Sequence, residues 1–373
     1  MDLGKRISAE ISKTGFVLEH EIAQALKSKG WTVISGKYYV DDLEMTPREI
    51  DLLAYRVSRF DSDKIEFYTT LIISCKKSDE NIWSLLAREI NLKDPNTDYW
   101  PLHAWSNVSA LTYQLAITGK AKEYHEGVRL LGASDAIADP QVDIFAFQEM
   151  NKSSGVPKND KAIFSSITSL VKAQAYEISS LPSRKKVKSV YQFNLISVVD
   201  SDMYRIMFEA KGRGVESKKI SSEHYIGRYI VAKREGFSRI RFLTSTAFTE
   251  ALDEYGRLHD ANVQWFSAQH AAFFSGIMMD WKRTNFLIKE FHKKVRNRVK
   301  WRIEANFSID KFDEEPSLDW DTKDSELNVG YLENDDILAY MNETTEIRNV
   351  VSSALKEVYR YNGPFRFSPA IPF

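Results

Sequence analysis

Hydrophobic and polar residues follow two different periods between Thr14 and Glu80. In the first segment, TGFVLEHEIAQALKSKGW, four apolar residues fall on one helical face: Leu18, Ile22, Ala25 and Leu26. Gly30 stands where a helix commonly ends. Three segments with strand composition, rich in Val, Ile, Tyr and Leu, come next: TVISGKYYV, REIDLLAYR and KIEFYTTLIISCKKSDE. The region therefore predicts the order helix, strand, strand, strand.

Strand alternation brings charged side chains together within this region. Glu49 and Asp51 share one face of the second strand, and Ser74 and Lys76 share one face of the third, with Cys75 on the other. An Asp and a Lys at the edge of a buried sheet are costly to leave unpaired. Two interpretations stay open: a cross-strand ion pair, or a phosphodiesterase site where a carboxylate holds Mg²⁺ and the Lys positions water or stabilises developing charge.

These residues resemble the motif of the PD-(D/E)XK (restriction endonuclease-like) nuclease superfamily, most closely its Mrr-like branch. The matching positions are Gly15 and Glu19, then Glu49-Ile50-Asp51, then Ser74-Cys75-Lys76. The resemblance is close over residues 14–80, looser over 161–270 and absent beyond 280. It implies that Asp51 is the principal metal ligand, that Lys76 orients the attacking water or stabilises the transition state, and that the backbone carbonyl of Cys75 reaches the metal.

The motif departs from the family at one position, because the second acid is replaced by Ser74, a weak and neutral metal ligand. Glu19 and Glu49 are the candidates for a migrated acid, and Glu49 would then also be a metal ligand. In the family a later helix often lends a Gln or Lys to the site. Lys172 and Gln174 correspond here, with a solvated helix face as the alternative.

Beyond Glu80 the pattern predicts further helices and strands. The predicted helices cover 83–90, 108–116, 161–180, 224–237 and 248–258, and the predicted strands cover 143–147, 190–199, 203–209, 238–248 and 263–266. The strands at 190–199 and 203–209 are expected to pair as a hairpin across a turn at Asp200-Ser201-Asp202.

Together these elements predict an α/β fold with a mixed central sheet flanked by helices, an insertion and a mainly helical C-terminal extension. The resemblance implies that this sheet is restriction endonuclease-like. The predicted nuclease-like core is 1–280, with the insertion at about 92–160. Residues 281–373 are predicted to hold a basic helix, an acidic linker at 310–326 and a C-terminal helical segment that ends in an aromatic arm.

The basic helix carries the strongest local charge in the sequence. Nine Lys or Arg residues and one acid, Glu290, occur in the 22 residues from Trp281 to Arg302. An apolar stripe is formed by Ile288, Phe291, Val295 and Val299. Beside it runs a basic stripe formed by Lys289, Lys293, Arg296 and Lys300. This stripe suits contact with a phosphate backbone; a membrane surface, a solvated face and pairing with the acidic segment are the alternatives.

Composition limits these interpretations. The net charge is −1, so contact with nucleic acid has to come from local patches. Cys75 is the only cysteine, which excludes an intrachain disulfide and suits a reducing cytoplasm. We expect no signal peptide, because the N-terminus lacks an apolar stretch, and no membrane span, because no apolar run approaches about 20 residues. The seven histidines show no tight metal-ligand spacing.

The first hypothesis is therefore a cytoplasmic, Mg²⁺-dependent (or Mn²⁺-dependent) nuclease acting on nucleic acid, with DNA as the expected substrate. The resemblance suggests a bacterial defence or DNA-processing context. The second hypothesis is a catalytically inactive nuclease-like fold that binds nucleic acid or protein, and Ser74 is its best support. The third is a structural or assembly protein whose C-terminal segment contacts a copy of itself or another partner.

Overall fold

The computed structural model describes residues 2–41, 44–60, 64–209, 214–231, 233–307, 312, 314–332 and 334–370. The chain forms two compact units. The first consists of Met1–Val108 and Ile117–Phe266, and the second of Ser109–Ala116 and Ser267–Phe373. The domain limit predicted at residue 280 and the insertion over 92–160 stay predictions.

The first unit begins with the predicted helix and three strands, which are confirmed. Its elements up to residue 106 are α1 (Leu3–Ile11), α2 (Gly15–Ser28), β1 (Thr32–Val40), β2 (Pro47–Phe60), β3 (Ile65–Lys77), β4 (Asn81–Arg88) and β5 (Ala104–Ser106). The strands β1, β2 and β3 form an antiparallel meander in which Leu53 pairs with Ile34 on one side and Ile72 on the other. Helix α2 packs with buried Leu18 and Leu26, because these apolar residues recur at helical spacing.

Helix α3 (Ser109–Leu115), which belongs to the second unit, interrupts the first. The first unit continues with α4 (Lys120–Leu130), β6 (Asp143–Asn151), α5 (Lys161–Arg184), β7 (Ser189–Asp200), β8 (Met203–Phe208), β9 (Val215–Ile220), β10 (Ser222–Val231), β11 (Arg234–Thr244) and α6 (Ser245–Phe274). The last residues of α6 enter the second unit.

The strands of the first unit form two mixed sheets flanked by helices. The larger sheet has the order β1-β2-β3-β7-β11-β10, with β5 also paired to β7. Strand β7 is parallel to both β3 and β11, and β10 is antiparallel to β11. The smaller sheet has the order β6-β4-β8-β9. Helix α5 covers the larger sheet with buried Ile163, Ile167 and Leu170. The predicted α/β class with a mixed sheet is therefore confirmed.

Several predicted elements are wrong because apolar residues at alternate positions also fit a helical spacing. The segment predicted as helix 83–90 is strand β4, in which Trp83, Leu85 and Ala87 are fully buried on one face. The segment predicted as helix 224–237 forms the β10–β11 hairpin instead. Conversely, the strand predicted at 263–266 lies inside helix α6, where Phe266 is buried.

The predicted hairpin of β7 and β8 is also wrong. The chain turns at Ser201, whose hydroxyl donates to the Asn81 carbonyl at 2.5 Å, and leaves the larger sheet. Strand β8 then pairs with β4 and β9 in the smaller sheet. A turn-forming sequence therefore marks a change of sheet here, which strand periodicity does not distinguish from a hairpin.

The second unit contains helices and a three-stranded sheet. After a short 3₁₀ helix at Ile277–Met279, its elements are α7 (Trp281–Phe286), α8 (Ile288–Phe307), β12 (Ser317–Asp321), β13 (Glu326–Tyr331), α9 (Asp335–Glu343), α10 (Thr345–Tyr359) and β14 (Phe365–Pro369). The sheet order is β12-β13-β14, with β12 antiparallel and β14 parallel to β13.

The prediction of an acidic linker over 310–326 is wrong from Ser317 onward. Residues 310, 311 and 313 lie outside the described part of the chain, but from Ser317 onward the segment is one side of a β-hairpin. Leu318 and Leu327 are buried, so the apolar residues between the acids are sufficient to anchor the hairpin. Within the described ranges, no helix has the length and apolar character needed to cross a bilayer.

Candidate functional site

The predicted site residues on β2 and β3 meet at one carboxylate oxygen. Oδ2 of Asp51 accepts hydrogen bonds from the backbone N–H of Cys75 at 2.7 Å and from the hydroxyl of Ser74 at 3.2 Å. The ammonium of Lys76 lies 3.6 Å from the same oxygen. The side chains of Lys76 and Asp51 are 28% and 21% exposed, so the pair lies at a surface that a ligand can reach. The antiparallel pairing of the two strands produces this convergence.

Ser74 takes part in the site as a hydrogen-bond donor. It is 3% exposed, and its hydroxyl points to Asp51. A hydroxyl in this position orients the carboxylate and supplies no negative charge. Ser74 therefore contributes a contact that holds the Asp51 carboxylate in place.

Glu19 on α2 is electrostatically coupled to the same group. Burial raises the pKa of the Glu19 carboxyl, and the charges of Asp51 and Glu49 raise it further, while Lys76 lowers it. The carboxylate of Glu19 therefore lies near enough to those of Asp51 and Glu49 to be repelled by them. Such a group of acids favours the approach of a cation.

Glu49 is exposed and lies beside Gly36, a residue within strand β1. Gly36 has a φ of +61°, a conformation that favours glycine. A Cβ at this position would stand 3.2 Å from Oε1 of Glu49. The glycine thus leaves room for the Glu49 carboxylate.

Cys75 contributes through its backbone, because its side chain is 4% exposed. Burial raises the pKa of the Cys75 thiol well above its ordinary value, and the charges of Asp51 and Glu19 add to the effect. The thiol is therefore held in its neutral form. The predicted contact of the Cys75 carbonyl with a metal stays a prediction.

Glu49, Asp51 and Lys76 line an open cleft of about 560 Å³, which we call the Asp51 cleft. Its opposite wall is the first half of α5, with Lys161, Phe164, Ser165, Thr168, Ser169 and Lys172. Lys172 donates to Oδ2 of Asp41 at 2.8 Å. Of the two helix residues that the sequence offered, Lys172 therefore lies in the cleft, whereas Gln174 is buried at 2% exposure.

The sequence analysis missed Asp41, which is 3% exposed and lines the same cleft. Besides Lys172, Arg48 lies near it, with Nε 3.9 Å from Oδ2 of Asp41. The available signal was an Asp directly after the apolar end of β1, at Val40. An acid in that place is common in turns, so the signal alone does not identify a site.

The donors of the cleft fit a magnesium ion in kind, although they are not arranged as a complete cage. Among the residues that the structure describes, no three His, Cys, Asp or Glu side chains are grouped closely enough to hold a metal. Magnesium commonly uses one or two carboxylates and completes its shell with waters and substrate phosphates. The carboxylates of Asp51 and Glu49 are donors of this kind, and a metal ion in the cleft stays a prediction.

The predicted basic stripe lies on helix α8 in the second unit. The apolar stripe is buried as predicted, while Lys289, Lys293 and Arg296 are exposed. Lys300 is half-buried, with its ammonium 3.6 Å from Glu304. The exposed part of the stripe thus offers three cations at helical spacing.

The acidic residues of the β12–β13 hairpin lie close to Arg366. Asp321 and Asp324 lie 2.7 and 3.2 Å from the guanidinium of Arg366 on β14. Glu326 lies 3.9 Å from the same group. These contacts favour a role in holding the three-stranded sheet over the alternative in which the acidic segment covers α8.

Comparisons with known proteins found no relative of this chain. No protein-family model matches the chain, and neither a curated protein nor a solved structure does.

Proposed function

We propose that the chain is a metal-dependent nuclease that hydrolyses phosphodiester bonds in nucleic acid, with DNA as its substrate and a role in bacterial defence or DNA processing. The observation that carries the proposal is the convergence of Lys76, Ser74 and the Cys75 N–H on one oxygen of Asp51, at the wall of an open cleft. The restriction endonuclease-like type of sheet is part of the proposal. It is supported by the order α2, β1, β2, β3 and by a parallel β7 beside β3.

Asp51 and Glu49 would hold Mg²⁺ or Mn²⁺, with the Cys75 carbonyl as a further ligand. When bound, the metal supplies a Lewis acid and lowers the pKa of a water. The chain's own groups do the positioning. The Cys75 N–H and the Ser74 hydroxyl fix Asp51, and the Lys76 ammonium holds the attacking water or stabilises the charge that develops on the phosphate.

The basic stripe of α8 would hold the phosphate backbone. Lys289, Lys293 and Arg296 are exposed, and each phosphate contact releases counterions. Affinity for DNA should therefore fall as salt rises. Replacing Lys289 and Lys293 by Ala should weaken binding and flatten the salt dependence, whereas Lys294→Ala is a matched control because Lys294 pairs with Glu357 in the same unit.

The decisive experiment is a cleavage assay on plasmid, single-stranded DNA and RNA with Mg²⁺ or Mn²⁺. Asp51→Asn and Lys76→Ala should each reduce cleavage by at least about 100-fold, the usual cost of losing an electrostatic group at the reacting centre. Lys77→Ala is the matched control, because Lys77 is the next residue of β3 but pairs with Asp79 and Asp200. It should retain activity. Cleavage that survives in all three variants contradicts the proposal.

A catalytically inactive binding module is the second candidate, and Ser74 favours it. The hydroxyl takes the place of an acid and, with two further contacts, occupies Oδ2 of Asp51. Such a module binds DNA without metal and cleaves nothing. Calorimetric titration with Mn²⁺ separates the two, because the nuclease should bind the ion and lose that binding in Asp51→Asn.

A further inference from the structure

The first unit holds a small chamber that shares no lining residue with the Asp51 cleft. Its volume is about 20 Å³, and we call it the histidine chamber. Polar side chains from several segments line it: His103, His125, His224, Arg239, Arg241 and Tyr255. Because buried polar groups are normally hydrogen-bonded, each of these groups is expected to have a partner.

Three polar atoms of these lining residues have no hydrogen-bond partner within the described part of the chain. They are Nδ1 of His125, Nδ1 of His224 and Nε of Arg239, and all three are buried. A buried polar atom without a partner costs about 1–3 kcal/mol, so three of them on one cavity point to a missing partner.

The proton positions on the two histidine rings follow from their other nitrogens. Nε2 of His125 lies 3.1 Å from the Pro101 carbonyl, and Nε2 of His224 lies 3.3 Å from the Asp135 carbonyl. A carbonyl only accepts, so Nε2 carries the proton in both rings and Nδ1 of a neutral ring is an acceptor. Burial keeps the rings neutral, since it lowers the pKa of His125 to about 3 and that of His224 well below its ordinary value.

Arg239 supplies the opposite kind of group. Its terminal nitrogens donate to the carbonyls of Ala138 and Tyr99, the latter at 3.0 Å, and its Nε–H is left as a donor. The unpartnered set therefore consists of two acceptors and one donor. A water molecule has the complementary set, two hydrogens to give and a lone pair to accept.

We propose that the histidine chamber binds one water molecule, which donates to Nδ1 of His125 and Nδ1 of His224 and accepts from Nε–H of Arg239. The chamber has the right size, because one water needs about 10–15 Å³ of such space. The water would connect His125 on α4 with His224 and Arg239 on the β10–β11 hairpin, and so fasten the segment around α4 to the sheet.

Two other occupants fit less well. A metal ion would suit the bare Nδ1 atoms but would face the positive charges of Arg239 and Arg241. A chloride ion would suit Arg239 but would face the lone pairs of two neutral rings. Only a neutral molecule that both donates and accepts satisfies all three atoms.

Wild-type protein tests the proposal, so no variant has to fold. With ¹⁵N-labelled histidine, long-range ¹H–¹⁵N correlation spectra should show Nδ1 of His125 and His224 without a proton but hydrogen-bonded, and magnetisation transfer should connect the rings to a long-lived water. The exposed ring of His20 serves as the control. Free Nδ1 signals without a water cross-peak would mean an empty chamber and would overturn the proposal.

Crystals of the same protein provide the second measurement. A single peak of density within hydrogen-bond distance of the three atoms is the expected result. An anomalous peak in the chamber after a bromide soak would assign it to an anion, and an anomalous peak at a metal edge would assign it to a cation. Either result would contradict the proposal that the chamber binds a water molecule. Neither measurement depends on whether the chain cleaves nucleic acid.

Discussion

The Asp51 cleft and the histidine chamber handle charge in opposite ways within one unit. In the cleft, Lys76 faces Asp51 at 3.6 Å with both side chains partly exposed, so solvent screens the pair and either group can exchange its partner. In the chamber, the Nε atom of Arg239 is buried and its terminal nitrogens donate to backbone carbonyls, while burial keeps the histidines neutral. Exposed pairs are available for ligands, and buried charges held by dipoles determine structure.

The largest effect that separates the two regions is expected from removing one cation in each. Arg239→Met leaves the carbonyls of Tyr99 and Ala138 without their donor and should lower the free energy of unfolding by about 2–6 kcal/mol. Lys76→Met should change it by less than about 1 kcal/mol, because its ion pair is partly exposed. Urea unfolding measures both. Equal losses would remove the distinction between the regions.

The second-largest effect is expected from acid, which should lower the stability of the fold through the chamber histidine His125. The pKa of His125 is about 3 in the folded chain and about 6.5 when unfolded, chiefly because of burial, with Arg239 and Arg129 lowering it and Asp139 raising it. The unfolded chain therefore binds the proton first. Stability is complete above about pH 6.5 and falls by about 1.4 kcal/mol per pH unit for this histidine as the pH drops toward 3.

Unfolding curves between pH 7 and pH 5 check this dependence. The slope against pH should become smaller by about that amount in His125→Asn. His20 is exposed, so His20→Gln should keep the wild-type slope. An unchanged slope in His125→Asn would show that this ring does not carry the effect.

A smaller effect is expected at Gly36, the residue of β1 beside Glu49. Gly36→Ala places a Cβ 3.2 Å from the Glu49 carboxylate in a left-handed conformation, which should cost about 1–2 kcal/mol and weaken metal binding. Gly236→Ala is the control, because a Cβ there meets nothing within 4 Å. Unfolding and Mn²⁺ titration of both variants measure the difference. If Gly36→Ala binds Mn²⁺ with wild-type affinity, Glu49 is not a metal ligand.

The smallest effect is expected at Ser74. Ser74→Ala removes the 3.2 Å hydrogen bond to Asp51 but leaves the Cys75 N–H in place, so cleavage should fall only about 2- to 12-fold, equivalent to about 0.5–1.5 kcal/mol. Thr70→Val on the same strand is the control. The Thr70 hydroxyl is buried and lacks a partner within the described residues, so its removal should not reduce stability. A loss of cleavage above 100-fold would give Ser74 a direct role.

The pair of Asp51 and Lys76 was predictable from sequence because the two residues are close along the chain. They lie on strands that are consecutive in sequence, and alternation along each strand together with antiparallel pairing places their side chains on one face. The helix at 161–180 was predicted for a similar reason, since its apolar residues repeat over several turns. Local patterns suffice where neighbours in sequence are also neighbours in space.

The chamber was not predictable in this way. His125, His224 and Arg239 are up to 114 residues apart (239 − 125 = 114), and only the pairing of β10 with β11 and the packing of α4 bring them together. The segment that contains His224 was also predicted wrongly as a helix, since Tyr225 and Tyr229 fit a helix as well as a strand. No signal in a single sequence separates a buried histidine from an exposed one.

The parallel pairing of β3 with β7 also has a consequence for synthesis. The two strands pair over Glu66–Lys77 and Ser189–Asp200, so 123 residues separate the ends of the partners (200 − 77 = 123). A ribosome adding about 5–20 residues per second takes about 6–25 s to deliver them. Until then the nascent chain exposes the edge of β3, with Leu71, Ile72 and Ile73 that are fully buried at the end. We therefore expect slower translation to lengthen the time for which this strand edge is unpaired.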